Sequence, residues 1–439
     1  MDKKIVLVGA GSTSFGPSMF SDLYLSDLLK GSTIVLHDIN EEKLEMIYEL
    51  LEKENEMAGN KFTLKRTTDR EEAFKDANFI INSIEVGNRM ELWWQDYKIP
   101  RKYGSTQVLG ECGGPGGTFH AFRIIPPIIE IAKDIERICP NAFLINFSNP
   151  MSRVCLAIKR ATNVKFAGLC HQIHFLERDI PRMLDKKLAD LEITVAGLNH
   201  FGFLLDLKEK NDGPNLMPEF NQKAMKFFMK HEDPFEFSTL TFEIYKRFGY
   251  FPHPGDNHLG EYIQFGEEFT ETQDMIDWIN RTDRHNQLIY KRVQRYHRRL
   301  KKSRYPSRGM LYKVQSGERA IPIIEAIIED KNTYENSVNI PNDGIIENLP
   351  EDLVVEVPAR VDKDGIHGIN LGKIPKNIAS LLRIEATIQD ICVEAILKES
   401  EKLAKIALAI DPNCGSFKMA EKIYQDMMEL QENFLPKFK

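Results

Sequence analysis

The sequence predicts an α/β protein, with an N-terminal doubly wound parallel sheet and a C-terminal α+β part. Three observations predict it. Short β-rich runs alternate with helical stretches through the first half, the opening strand runs into a glycine turn, and the alternation stops near Leu191. At 439 residues and roughly 150 residues per domain, two or three domains with a sizeable core are expected. The division is placed at 1–195 and 196–439.

In chain order, strands are expected at 4–8, 33–37, 62–66, 77–84, 143–147 and 164–168, and helices at 15–29, 41–57, 120–138 and 151–160. Strands alternating with helices argue for βαβ units and a parallel sheet. The runs at 5–8 and 79–81 are continuously apolar, which suits strands covered on both faces. Beyond 191 the pattern changes: 191–196 and 201–207 read as consecutive strands joined at Gly197-Leu198-Asn199-His200. Near the end, Leu381, Ile384, Ile388, Ile391 and Ala395 fall at helical spacing and predict a packing seam for the core or a subunit contact.

Composition narrows the class. Hydrophobic content of 42% and charged content of 28% are near globular averages, which excludes disordered, collagen-like and coiled-coil chains. With 58 basic and 65 acidic residues the formal charge is −7, so no nucleic-acid partner is expected. The basic run 292–304 accordingly reads as a solvated helix face. No apolar run approaches the ~18 residues of a membrane span, and no membrane partner is expected. The start, Met1-Asp2-Lys3-Lys4, enters a strand without a cleavable signal pattern. The six cysteines include no CxxC pair, which argues against a zinc ribbon or a disulfide scaffold. The expected compartment is a reducing cytoplasm.

Gly9-Ala10-Gly11-Ser12-Thr13-Ser14 follows the first strand and opens a helix. Glycines there let the backbone turn tightly and approach a pyrophosphate at the helix N-terminus, as in a Rossmann-type unit. Ser14 replaces the third glycine of the usual fingerprint, which loosens helix–strand packing but removes no phosphate contact. Asp38 ends the second strand, where a carboxylate can accept from both ribose hydroxyls of NAD and repel the 2′-phosphate of NADP. Gly9, Gly11, Ser12 and Asp38 are therefore the candidate NAD contacts. The bland alternative is a nucleotide-free turn with a surface aspartate.

A second layer of motifs sits where strands are expected to end. The loop Gly110-Glu111-Cys112-Gly113-Gly114-Pro115-Gly116-Gly117 either presents backbone N–H groups to an anion or sugar or is a flexible turn. Asn149, before Pro150, could bond sugar hydroxyls or orient a nicotinamide, although Asn-Pro is also a common turn starter. Cys170 and His200 end neighbouring strands; singly each reads as a buried free cysteine or a satisfied histidine, but their joint placement beside a dinucleotide site points to a two-ligand metal site with positions left open for substrate oxygens. His171 lies beside them. Pro254-Gly255-Asp256-Asn257-His258-Leu259-Gly260-Glu261-Tyr262 could carry proton transfer or be a helix start capped by Asp256 or Asn257.

In this order, GAGS at 9–12, GECGGPGG at 110–117, NFSNP at 146–150, GLCH at 168–171, AGLNH at 196–200 and PGDNHLGEY at 254–262 resemble glycoside hydrolase family 4 over nearly the whole chain. The resemblance implies a lactate/malate-dehydrogenase-like fold, bound NAD, a divalent metal with Mn2+ first among candidates, a homodimer or homotetramer, and an α-glycoside substrate. It also implies a mechanism. NAD oxidises the C3 hydroxyl, a base removes the acidified C2 proton beside the metal, the leaving group departs from C1, water adds, and hydride returns to C3. By motif position Cys170 and His200 resemble the metal ligands and Asn149 the contact to substrate and nicotinamide. Asp256 matches the base, with His258 and Tyr262 next. His171 takes a place near the substrate's leaving group, and Glu111 an acidic position near the sugar. His171 after Cys170 resembles branches acting on unphosphorylated sugars. Gln172 departs from their known third residues, while the Gly-Gly-Pro-Gly-Gly loop resembles the α-galactosidase and α-galacturonidase group, so an α-galactoside or α-galacturonide is expected.

Two rival readings remain. A 2-hydroxy-acid or sugar dehydrogenase would show net redox turnover and could use Arg123 as a carboxylate clamp. A non-catalytic NAD sensor would bind NAD without metal dependence. Retention of both Cys170 and His200 favours the glycosidase.

Overall fold

The computed structural model describes residues 2–13, 15–211, 213–228, 239–304 and 316–439. Ser14, the altered fingerprint position, lies outside the described residues. The first part alternates as β1 (Lys4–Val8), α1 (Phe15–Leu25), β2 (Thr33–His37), α2 (Glu41–Met57), β3 (Thr63–Thr67), α3 (Arg70–Phe74) and β4 (Phe79–Asn82). It continues through α4 (Arg89–Lys102), α5 (Gly114–Ile138), β5 (Phe143–Asn146), α6 (Met151–Ala161), β6 (Lys165–Gly168) and α7 (Ile173–Leu184). The hairpin β7 (Leu191–Leu198) and β8 (Phe201–Glu209) leads to α8 (Met217–Phe228), α9 (Thr239–Phe248), β9 (Pro252–His253), α10 (Asp256–Leu259), α11 (Thr272–Lys301) and α12 (Ala320–Glu329). Then come β10 (Thr333–Pro341), β11 (Val354–Asp362), β12 (Gly365–Gly368), α13 (Lys376–Leu397), α14 (Glu401–Ile410) and α15 (Phe417–Leu430).

Strands β3-β2-β1-β4-β5-β6 lie side by side and pair in parallel throughout. This 3-2-1-4-5-6 order is that of a dinucleotide-binding sheet, whose ligands gather outside the carboxyl ends of the strands near the β1/β4 reversal. The central strands are covered on both faces, as expected from their unbroken apolar runs: Ile5 and Leu7 enter one core cluster, Val6 and Val8 the other. The sheet does not stop there. β10 joins β6 antiparallel at Asn339 and Gly168, and β11, β7, β8 and β9 follow. The expected boundary at 195/196 falls inside β7, within one continuous sheet. The carboxyl end of β6, the last residues of β10 and the β7–β8 turn are thereby brought level, since Gly168 pairs with Asn339, Asn339 with Glu356 and Glu356 with Gly197.

Three local expectations are corrected. Helix α1 stops at Leu25 rather than at 29, because Ser26 Oγ accepts the N–H of Leu29 at 3.2 Å and closes a turn in place of the helix. Helix α5 begins at Gly114, six residues before 120, with Pro115 in its first turn, where a missing N–H costs nothing. On α13 the buried stripe runs through Ile378, Leu382, Glu385, Gln389, Cys392 and Ile396, so the expected seam is rotated. Ile388 and Ala395 are buried, but Ile384 is 49% exposed. The rotation buries Glu385 against Arg153 of α6, 3.2 Å away, a partner that an apolar count cannot see. The basic run lies on α11 and its continuation, with Arg292, Arg295, Arg298 and Arg299 exposed, as expected of a solvated face. Among the described residues, no helix is long and apolar enough to cross a membrane.

Candidate active site

The glycine turn after β1 is folded against β2. The N–H groups of Gly9 and Ala10 both donate to His37 O, at 3.0 and 3.1 Å. Gly9 has φ +86° and a Cβ there would lie 3.0 Å from Ser83 O, so glycine is required. Gly11 N–H donates to Asp38 Oδ2 at 2.8 Å, and Ser12 Oγ accepts from Phe15 N–H at 3.2 Å. Gly9, Gly11, Ser12 and Asp38 thus form one surface over the carboxyl ends of β1 and β2. Ile39, next to Asp38, is 91% exposed, an apolar face beside the place a ribose would occupy.

Cys170 follows β6, and His200 sits in the tight turn between β7 and β8 with φ +61°. A left-handed histidine is uncommon and needs outside support. The neighbouring Asn199 provides it: its amide donates to Glu356 Oε2 at 2.7 Å, and its backbone N–H donates to Ser152 Oγ at 3.2 Å. Glu356 also receives Ser337 Oγ at 2.5 Å, while burial pushes its carboxyl up against these bonds. As a result Cys170 Sγ and His200 Nε2 stand 3.2 Å apart. Two ligands of one ion, at ~2.3 Å for sulfur and ~2.0–2.1 Å for nitrogen, would have a comparable separation. Burial first, then neighbouring His258, His171 and His253, hold His200 well below the usual imidazole range. Its ring is neutral at pH 7 and its nitrogen lone pair is available. Burial and Glu356 push the Cys170 thiol up. His200 Nδ1 and Asn149 Oδ1 are buried without a hydrogen-bond partner, the mark of groups awaiting a ligand or water.

The glycine-dense loop is neither flexible nor free to bind an anion. Residues 107–125 are all buried, and the N–H groups of Glu111, Cys112 and Gly113 all donate to one oxygen, Glu261 Oε2, at 2.7, 2.6 and 2.8 Å. The chain supplies its own carboxylate to the start of α5, where helix polarity favours negative charge. Glu261 Oε1 lies 3.0 Å from His258 Nδ1. Burial works against the charged ring of His258, but Glu261 and Glu111 outweigh it and hold its pKa above the usual value. The rings of His258 and His200 are 4.2 Å apart.

The other expected residues take varied places. Glu111 is buried, bonds Arg89, and lies 4.0 Å from His258 Nδ1. His171 is exposed, with Glu318 3.7 Å from its Nδ1. Asp256 does not cap its own helix, whose N-cap is Gly255. Its carboxylate instead accepts from Leu240 N–H, Thr241 N–H and Thr241 Oγ, at 2.9, 2.7 and 2.5 Å, at the start of α9. Burial nevertheless pushes its pKa up to about 6. Tyr262 stacks on Phe201 at 5.3 Å and is buried. Arg123 is no clamp for a substrate carboxylate, because it is 4% exposed and engaged by Asp96 and Gln431. A cavity of about 660 Å³ opens beside Cys170, lined also by His174, Glu177, Glu318, Arg319 and Asn336. It falls within the ~300–1,000 Å³ typical of small-molecule sites.

The sequence reading gave no individual role to Glu356 or Arg89, and held Glu261 and Asn199 only as members of the motifs at 254–262 and 196–200. Glu261 was detectable, since it stands three residues after His258 and so near it on a helical turn. Glu356 carried no local signal.

The chain matches the model described as family 4 glycosyl hydrolase over residues 4–186, and that of the family 4 glycosyl hydrolase C-terminal domain over 195–414. It is 36% identical to an alpha-glucosidase of Erwinia rhapontici, covering 99% of each chain. It is 29% identical to an alpha-galactosidase of Bacillus subtilis, covering 100% of each. A solved 6-phospho-alpha-glucosidase from gut microorganisms, in complex with NAD and Mn2+, superposes with a TM-score of 0.84 at 23% identity over 100% of both chains.

Proposed function

The chain belongs to glycosyl hydrolase family 4, and from that premise we propose that it hydrolyses α-glycosides of unphosphorylated, neutral hexoses with NAD and a divalent ion, Mn2+, as cofactors. The observation that carries this reading is the meeting of Cys170 Sγ and His200 Nε2 at 3.2 Å, at the ligand-binding edge of a dinucleotide-type sheet. The groups fit. Asp38 and the Gly9–Gly11 turn suit the ribose and pyrophosphate of NAD, Asn149 Oδ1 lacks a partner, and a thiolate–imidazole pair completed by sugar oxygens would make a mixed S/N/O site that admits Mn2+, Co2+, Ni2+ or Fe2+. When bound, NAD would accept and return the C3 hydride, and the ion would stabilise negative charge on the sugar oxygens.

The chain's own groups do the remainder. Asn149 would fix a sugar hydroxyl against the nicotinamide carboxamide. Asp256, with a pKa raised to about 6, is the candidate base for the C2 proton, near the range where a base works best at neutral pH. It must turn one oxygen from the start of α9 to do so. By motif position His171, exposed beside Glu318, would meet the leaving group, and Glu111 the sugar.

Charge argues for a neutral sugar. Arg89 is paired with Glu85 and Glu111, and Arg319 with Glu335 at 2.6 Å. A uronide or 6-phosphosugar bound by either of these arginines would have to displace those carboxylates, at the cost of leaving a charge unpaired. Glucosides enter through the alpha-glucosidase relative and galactosides through the alpha-galactosidase relative. The test is nitrophenol release from para-nitrophenyl α-glucoside, α-galactoside, α-galacturonide and α-glucoside 6-phosphate, under reducing conditions with NAD and Mn2+. Turnover of a neutral hexoside that needs both cofactors is expected. Preference for the galacturonide or phosphosugar would overturn the charge argument, and steady NADH accumulation would favour a dehydrogenase.

A further inference from the structure

Among the described residues, His200, His258 and Glu261 form a group whose ligand-type atoms all lie within 4.8 Å of one another. All three are buried, and Cys170 Sγ adjoins the group 3.2 Å from His200 Nε2. Their bonding separates their roles. Glu261 is occupied: Oε2 holds three backbone N–H groups and Oε1 faces His258 Nδ1 at 3.0 Å. His258 is oriented by that contact. In the neutral ring, an Nδ1–H donated to a buried carboxylate fixes the tautomer and leaves the lone pair on Nε2, so an ion bound there would take the place of the second ring proton. A carboxylate behind an imidazole is the usual arrangement behind a metal-bound histidine, and it makes the ring a stronger ligand. The carboxylate is itself immobilised by the start of α5, so the ring has little freedom to swing away.

We infer that His258 is a third protein ligand of the metal ion, beside Cys170 and His200, with Glu261 as its positioning residue. The inference rests on the metal site proposed above and extends it. A Cys-His-His set gives three protein donors and leaves further positions open, the pattern of a catalytic rather than a structural site. It also explains why a carboxylate is placed at the GECGGPGG loop: the loop's N–H groups lock Glu261, and Glu261 locks the ligand. A packing role alone, with His258 edge-on to Trp278 at 5.9 Å, gives the histidine–carboxylate contact no purpose.

The test uses Co2+ alone, without sugar or NAD, added to the metal-free full-length protein under reducing conditions. Visible d–d bands report coordination, and a near-ultraviolet sulfur-to-cobalt band reports Cys170. We expect His258→Gln to weaken Co2+ binding at least 10-fold and shift the d–d bands while keeping the sulfur band. Glu261→Gln should weaken binding less, within the 10–100-fold typical of outer-shell changes. Unchanged affinity and spectrum in a folded His258→Gln protein would overturn the inference. If that variant does not fold, the wild type decides. Two hyperfine-shifted exchangeable imidazole N–H resonances in the Co2+ protein support two histidine ligands, and one overturns the third ligand. Absence of any Co2+ binding by the wild type, or of the sulfur band, would instead sink the underlying metal site.

Discussion

Replacing Glu261 by alanine removes the group on which the loop before α5 depends. Glu261 is 0% exposed, and its Oε2 accepts three backbone N–H groups at 2.6–2.8 Å. Each buried donor left without a partner costs ~1–3 kcal/mol, so three together give roughly 3–9 kcal/mol. The deleted carboxylate leaves room for a water to rejoin one donor, which places the expectation at about 3–5 kcal/mol. Glu261→Gln keeps an acceptor but loses the charge, and charge-assisted bonds are about twice as strong as neutral ones, so about 2–3 kcal/mol is expected. Urea unfolding of wild type and both variants, followed by circular dichroism, reads the global loss. Hydrogen exchange reads the local one: protection of the amides of Glu111, Cys112 and Gly113 should fall on the order of 100-fold or more in the alanine variant. A loss under about 1 kcal/mol with those amides still protected would show that Glu261 does not hold the loop.

Other outcomes follow from the same geometry. Asp256 has a folded pKa of about 6 against an ordinary 3.8, so its contribution to stability is fully present below pH 3.8 and is lost as pH rises through 6. Relative to Asp256→Asn, the wild type should therefore lose about 3 kcal/mol between pH 4 and 6 and stay level above, which paired urea titrations at several pH values would reveal. Arg153 is fully buried, bonded to Thr118 Oγ at 3.0 Å and Glu385 at 3.2 Å. Arg153→Met should destabilise by ~3–5 kcal/mol, and adding Glu385→Leu should recover most of it, as a double-mutant cycle would show. Asp38→Ala should weaken NAD binding ~10–100-fold, through lost charge-assisted bonds to the ribose, while NADP binding weakens less, both measured by calorimetry.

Much of the fold was legible because its signals are local. The bounds of β1, β2 and α2 coincide with those expected, since an unbroken apolar run and a 3.6-residue period need no partner to be read. Helix α5 hid its start, because glycines that look like a loop are there for close packing. A Cβ on Gly116 would lie 2.7 Å from Asp96 O, and one on Gly117 would lie 2.4 Å from Cys112 C. The α13 seam was misplaced because Glu385 counts as polar in sequence but is paired across 232 residues with Arg153. The site divides in the same way. Cys170 and His200 could be nominated from strand-end positions, and the structure brings them together. What holds them was out of reach: Glu356 meets Asn199 across 157 residues, and Glu261 meets Cys112 across 149.

The proposed route is hydrolysis through transient oxidation and C2 deprotonation. Its most direct test is the fate of the C2 hydrogen when the best nitrophenyl α-hexoside is turned over in D2O with NAD and Mn2+. Deuterium is expected at C2 of the released sugar, with nitrophenol release that stops when either cofactor is withheld and exchange that slows in Asp256→Asn more than binding weakens. Rapid release of a sugar carrying no deuterium at C2, without need of NAD, would contradict it.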